Sequence, residues 1–212
     1  MEIIGLTLLI ALCASIHIID KYRTMRMSYL FKPLTTLLIL GYAFCFSIAL
    51  NIFVMLILLG LMLSLIGDIF LLSTKARYFT GGLASFLLAH IAYIAAFSLK
   101  LTLFHWWVII VMLIYAILFY LMLYKTLGQD RIAVAVYIVV IMVMGAVAVN
   151  VYLADRSLPS LYIMLGALCF MFSDSVLAWD KFKRKLKHEP SLVMISYYLA
   201  QYLIASAAIL LY

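Results

Sequence analysis

The chain is built almost entirely from apolar runs about as long as a membrane is thick. Eight of them follow one another, at residues 3–19, 29–48, 52–72, 78–99, 104–124, 132–153, 160–179 and 191–212. A helix needs roughly 20 such residues to cross the hydrocarbon core. The runs are apolar on most faces and lack the period-two alternation of a barrel strand. Backbone polar groups in hydrocarbon must be satisfied within the segment, which predicts helices. The expected fold is all-α and integral to the membrane, with eight transmembrane helices forming a single transmembrane domain over 1–212.

Composition closes the other routes. Apolar residues make up 69% of the chain and charged ones 11%, against roughly 45–50% and about 25% in a soluble domain. So few charges cannot cover a soluble monomer, and disorder needs the opposite balance. Cys13, Cys45 and Cys169 are odd in number and lie in apolar runs, so no disulfide framework is expected. The first run follows Glu2 rather than a basic segment and has no small-residue cleavage pattern. It is expected to be a span and not a cleaved signal.

Charge orients the runs. The links after runs 1, 3, 5 and 7, with the start of run 2, carry Lys21, Arg23, Arg26, Lys32, Lys75, Arg77, Lys125, Arg131, Lys181, Lys183, Arg184, Lys185 and Lys187. Of the 15 basic residues, only Lys100 and Arg156 fall on the other side. The positive-inside rule puts these links in the cytoplasm and both termini outside. The net charge of +7 then reads as topology and contact with anionic membrane lipids. Nucleic acid is excluded as a partner, because no soluble basic surface exists. Protein partners are left open.

A parallel 4+4 repeat is possible. Run 3 ends in Gly67-Asp68-Ile69-Phe70-Leu71 and run 7 in Ser173-Asp174-Ser175-Val176-Leu177. Ser85 to His90 in run 4 is echoed by Ser196 to Gln201 in run 8. Both pairs run in the same direction, which would relate the halves about an axis along the membrane normal.

The informative residues are polar ones inside the runs, since an ionisable group there costs roughly 2.5–3.5 kcal/mol on insertion scales. Asp68 and Asp174 sit near the cytoplasmic ends of runs 3 and 7. Ser64 is one turn before Asp68. His90 and Tyr93 are i, i+3 on run 4, and Tyr198 and Gln201 are i, i+3 on run 8. Lys32, beside Pro33, opens run 2. All lie in the cytoplasmic half, which points to a polar pocket opening to that side. Each has a bland reading. A lone Asp near a helix end can reach interfacial water, Lys32 can snorkel, and His90, Tyr198 and Gln201 can simply bond helix to helix. Asp20 and Asp180, at run ends, are expected in water. Two acids at matched depth with a His and a Gln in the same layer are harder to explain so.

Other chemistries find little support. No HExxH or HxxxH spacing marks a zinc site, no GxSxG elbow or Ser–base pair marks a serine hydrolase, and no phosphate-binding fingerprint occurs. No metal or cofactor is expected. Two carboxyl groups in different surroundings can divide acid and base roles. That suits hydrolysis through an oxocarbenium-like state, and a vinyl ether is a lipid bond that breaks this way. The same acids would also suit a proton-coupled transporter or flippase for a small amphiphile.

Lys32-Pro33-Leu34, Ser64 to Asp68, Phe86 to His90 followed by Tyr93, Gly166-Ala167-Leu168 leading to Phe172-Ser173-Asp174-Ser175, and Tyr197 to Ile204 occur in this order along the chain. The pattern resembles the YhhN family of eight-span membrane proteins, which includes lysoplasmalogenases. The resemblance implies a hydrolase of the vinyl ether bond of lysoplasmalogen, giving a fatty aldehyde and glycerophospho-ethanolamine or -choline. It matches Asp68 and Asp174 to the acidic positions, and Lys32, His90, Tyr198 and Gln201 to motif positions. Asp68 and Asp174 are the expected catalytic pair. Lys32, Ser64, His90, Tyr93, Tyr198 and Gln201 are the expected substrate-binding residues, with a lysophospholipid as substrate and a bacterial inner membrane as location. A non-catalytic lipid-binding protein is the further alternative; in it the two acids would merely pair with Lys32 or His90. Ester hydrolysis of lysophospholipids is disfavoured because no nucleophile–base pair is evident.

Overall fold

The computed structural model describes residues 2–23, 27–73 and 75–211. Arg26, counted among the basic link residues, lies outside the described residues. Among the described residues, eight helices are long and apolar enough to cross a membrane: α1 (Glu2–Arg23), α2 (Ser28–Phe46), α3 (Ile52–Phe70), α4 (Ala76–Ser98), α5 (Trp106–Tyr124), α6 (Arg131–Asp155), α7 (Leu158–Phe182) and α8 (Glu189–Leu210). The links are short, as expected for neighbours in a bundle.

Local chemistry sets several ends. The Asn51 side chain accepts a hydrogen bond from Val54 N at 3.1 Å and starts α3. Ser157 accepts from Ser160 N at 3.4 Å, with Pro159 in the first turn of α7. Arg156 closes α6 in the left-handed conformation, at φ 52°.

Asp20 and Asp180 depart from expectation. Both are buried, and each ties down the link that follows it. Asp20 Oδ2 accepts from Met27 N at 2.9 Å, and Asp180 Oδ1 accepts from Leu186 N at 2.7 Å while Lys185 Nζ donates to Oδ2 at 2.6 Å. A carboxylate that caps free backbone N–H groups has a reason to leave water.

The most extensive helix pairings are α3 with α4 and α7 with α8. Small residues let these pairs close up. A Cβ at Gly67 would stand 2.7 Å from the Phe86 ring, and one at Gly166 would stand 2.7 Å from Ile204 Cγ1. Helix α8 is the most buried and touches α1, α2, α3 and α7. Helix α4 also packs on α6. Helices α1 and α5 are peripheral; α1 leans on α2 and α8, and α5 on α6. Their outward faces are rows of Ile and Leu, such as Ile110, Ile114, Ile117 and Leu121 on α5, as suits contact with lipid. The links α1–α2, α3–α4, α5–α6 and α7–α8 share one end of the bundle, termed here the basic end.

Candidate active site

Asp68 lies in the last turn of α3, where the close approach of Gly67 to Phe86 holds the helix against α4. Its carboxylate is 1% exposed. Lys32 Nζ of α2 stands 3.3 Å from Oδ1. Thr36 Oγ1, one turn on, donates to Oδ2 at 2.6 Å, and the Tyr197 hydroxyl of α8 donates to the same oxygen at 2.7 Å. A charge this deep needs a counter-charge and bonded oxygens, and Asp68 has both.

Asp174 belongs to a second group. The Tyr137 hydroxyl of α6 donates to Asp174 Oδ2, and His90 Nε2 of α4 lies 3.7 Å from that oxygen. Neither ring nitrogen of His90 makes a hydrogen bond among the described residues, although the ring is fully buried. The imidazole packs edge-on against Phe170, with centroids 4.6 Å apart, and against Tyr137 at 5.4 Å. The group is therefore held sterically while its nitrogens stay available for proton transfer, an arrangement common before substrate tightens a site.

No hydrogen bond or ion pair joins the two acids among the described residues. They connect through side chains in contact, Asp68 to Tyr197, Tyr197 to Phe170 at 5.5 Å between rings, Phe170 to His90, and His90 to Asp174. The middle of that chain is a hydrocarbon ring, which cannot pass a proton. The pairings of Asp68 with Lys32 and Asp174 with His90 are also those a non-catalytic reading requires, so pairing does not separate the readings.

Access distinguishes the acids. The Asp174 side chain is 14% exposed and lines a cavity of about 50 Å³ with Phe79, Leu83, Phe119, Tyr137, Met142 and Phe182 among others. The wall is hydrocarbon apart from Tyr137, Asp174 and Ser175. A water molecule needs roughly 10–15 Å³ measured this way, so the cavity admits a few waters beside the carboxyl.

The other residues singled out by sequence fall elsewhere. Tyr93 donates to Gln201 Oε1 at 2.7 Å deep between α4 and α8. Tyr198 bonds His17 Nδ1 of α1 at 2.8 Å. Ser64 is buried one turn before Asp68. The structure thus pairs Lys32 with Asp68, His90 with Asp174 and Tyr93 with Gln201. Of the eight candidates, only Asp174 lines the cavity. Sequence reasoning missed Thr36, His17, Tyr137, Phe170 and Tyr197 as parts of these groups. Tyr137 had a signal, as a polar side chain in an otherwise apolar stretch from Ile132 to Val143.

Comparison with known proteins agrees with the motif order. The model of the YhhN family matches residues 27–208. Lysoplasmalogenase TMEM86A of Bos taurus is 34% identical over 157 residues, covering 72% of this chain and 65% of its own. The Homo sapiens protein of the same name is 32% identical over 174 residues, covering 80% and 70%. The membrane protein YhhN of Escherichia coli O157:H7 is 27% identical over 177 residues, covering 83% and 84%. No solved structure is a significant match.

Proposed function

The chain belongs to the YhhN family, and from that membership we propose a lysoplasmalogenase-like hydrolase acting on the vinyl ether bond of a lysophospholipid. The observation that carries the reading is the Asp174 carboxyl, facing an apolar cavity with Tyr137 and His90 at its back.

The chemistry follows from those groups. Asp174, as the acid, gives its proton to the β-carbon of the vinyl ether. The double bond's electrons form the new C–H bond and leave an oxocarbenium ion at the α-carbon. The carboxylate so formed, 3.7 Å from His90 Nε2, lies against that cation and stabilises it. Water adds to the α-carbon and gives its proton to the Asp174 carboxylate, directly or by way of His90, which restores the acid. The hemiacetal collapses, its hydroxyl proton passing to the leaving oxygen, to a fatty aldehyde and glycerophospho-ethanolamine or -choline. The net change is one water consumed. Asp68, bound to Lys32, Thr36 and Tyr197, serves in this reading as a positioning residue that fixes α3 to α2 and α8. The two acids divide their work between surroundings and do not act as a touching pair.

The reading extends to architecture and orientation. A parallel 4+4 repeat is supported by the partners of the acids. Asp68 of α3 meets α2 and α8, and Asp174 of α7 meets α6 and α4, the helices that correspond if α1–α4 repeat as α5–α8. The basic end faces the cytoplasm of a bacterial inner membrane by its charge.

The test is aldehyde release by purified protein in detergent, from a vinyl-ether lysophospholipid and from its ester and alkyl-ether analogues. Release from the vinyl ether alone, lost in Asp174→Asn with the fold intact, supports the proposal. No release from any lipid, with uptake into proteoliposomes, replaces it with transport.

A further inference from the structure

A second cavity, of about 310 Å³, lies in the seam between α5 and α6 and shares the side chain of Met142 with the Asp174 cavity. It is lined by Phe104, Ile109, Met112, Leu113, Ala116, Val139, Met142, Val143, Ala146 and Val147, and its lining is apolar throughout. Met142 forms a wall of both cavities. From Tyr137, beside Asp174, to Val147 at the far end is ten residues of α6, or about 15 Å at 1.5 Å per residue. That is half of the ~30 Å hydrocarbon thickness, the length available to one chain in one leaflet. Methionines surround the shared region, with Met112 and Met171 packed over Gly145 and Met142 beside them. Such side chains yield to a flexible guest.

Beside the Asp174 cavity, toward the basic end, stands the opposite chemistry. Lys181 Nζ stands 4.5 Å above the ring of Phe79, which lines that cavity. Lys183 Nζ donates to Met122 O at 3.0 Å, and Phe182, next to it in the chain, lines that cavity. Lys32, by contrast, is buried against Asp68. An amphiphile lying along this path meets ammonium groups, then a carboxyl, then about 15 Å of hydrocarbon wall. A larger apolar groove of about 570 Å³ between α2 and α3 has no ionisable group in its lining, and suits ordinary bilayer lipid.

We infer that the α5–α6 seam holds the substrate's single hydrocarbon chain while Lys181 and Lys183 receive its phosphate. The inference rests on the proposed lysophospholipid reading and deepens it. It places the chain's first carbons, where the vinyl ether lies, beside Asp174. It also makes Ala116 and Ala146 the residues that set chain length.

The experiment compares lysoplasmalogens with decenyl to octadecenyl chains on wild type, Ala116→Phe, Ala146→Phe and, as a control outside the seam, Leu59→Phe. Either seam variant is expected to lose about tenfold or more with the longest chain while the shortest stays within about twofold. Leu59→Phe is expected to keep the wild-type profile. In parallel, a lysophospholipid with a diazirine at its chain end is cross-linked to wild-type protein, so a misfolded variant leaves a second readout. Labels on α5 and α6 are expected. Aldehyde release with an unchanged profile in folded seam variants, or labels confined to α2 and α3, overturns the inference and leaves the hydrolase reading standing. Labels on α5 and α6 with no aldehyde from any substrate overturn the hydrolase reading and leave the seam as a lipid site.

Discussion

The Lys32 ammonium stands 3.3 Å from the Asp68 carboxylate where neither reaches appreciable water, their side chains being 9% and 1% exposed. Breaking a buried pair by removing one partner strands the other charge. Lys32→Met or Asp68→Asn alone is expected to cost roughly 3–5 kcal/mol. The double variant Lys32→Met/Asp68→Leu is expected to recover part of that loss. Unfolding in detergent, run as a double-mutant cycle, measures the coupling.

Asp174→Asn removes the proton the proposed reaction needs but keeps the volume and the bond from Tyr137. Turnover is expected to fall by about 10²–10⁴-fold with little change in melting temperature. Asp174→Glu is expected to restore part of the rate. Steady-state aldehyde release alongside a melting curve on the same preparation tests both halves of the expectation.

Gly60 faces Tyr93 so closely that an added methyl would overlap the ring. The ring cannot yield without giving up its bond to Gln201 Oε1, whose amide nitrogen has no hydrogen-bond partner among the described residues. Gly60→Ala is expected to destabilise the protein by about 1–3 kcal/mol. Tyr93→Phe should cost a similar ~1–3 kcal/mol by leaving the buried amide oxygen unbonded. The combined variant should cost less than the sum, because the bond can be lost only once. Melting curves of the two single variants and the double decide it.

Arg156 closes α6 at φ 52° without being glycine. Its side chain is exposed, and its backbone N–H donates to Tyr152 O at 2.8 Å. Arg156→Gly keeps that bond and relieves the left-handed conformation, so it is expected to raise stability by several tenths to about 1 kcal/mol. A lower melting temperature in that variant would show that the arginine side chain contributes more than the strain removes.

The helix count and the two acids were legible because membrane cost is a per-residue quantity. A run of about twenty apolar residues or an Asp within one stands out without any neighbour being known. Partners are not legible that way. Tyr197 and Thr36 cost little in a span, so nothing in their own runs distinguishes them from the chain's other tyrosines and threonines; Tyr137 stands out only as the one polar side chain from Ile132 to Val143, which does not say what it bonds. The expectation of one shared pocket came from placing Lys32, His90, Tyr198 and Gln201 in one layer by depth alone. Depth carries no azimuth, and the helices turn Lys32 to Asp68, His90 to Asp174 and Tyr198 to His17. Asp20 and Asp180 were misjudged because a run's end says nothing about the link beyond it. The N–H groups of Met27 and Leu186 draw those carboxylates inward.

Helix α5 leans on α6 and presents most of its surface outward. A single-chain amphiphile that passes this helix into the seam stays in hydrocarbon from bilayer to carboxyl. The concentration governing the proposed reaction is then the lipid's mole fraction in the surrounding membrane or micelle, and not its amount per volume of solution. Diluting substrate with inert detergent at fixed total substrate slows such a catalyst, whereas adding buffer leaves it untouched.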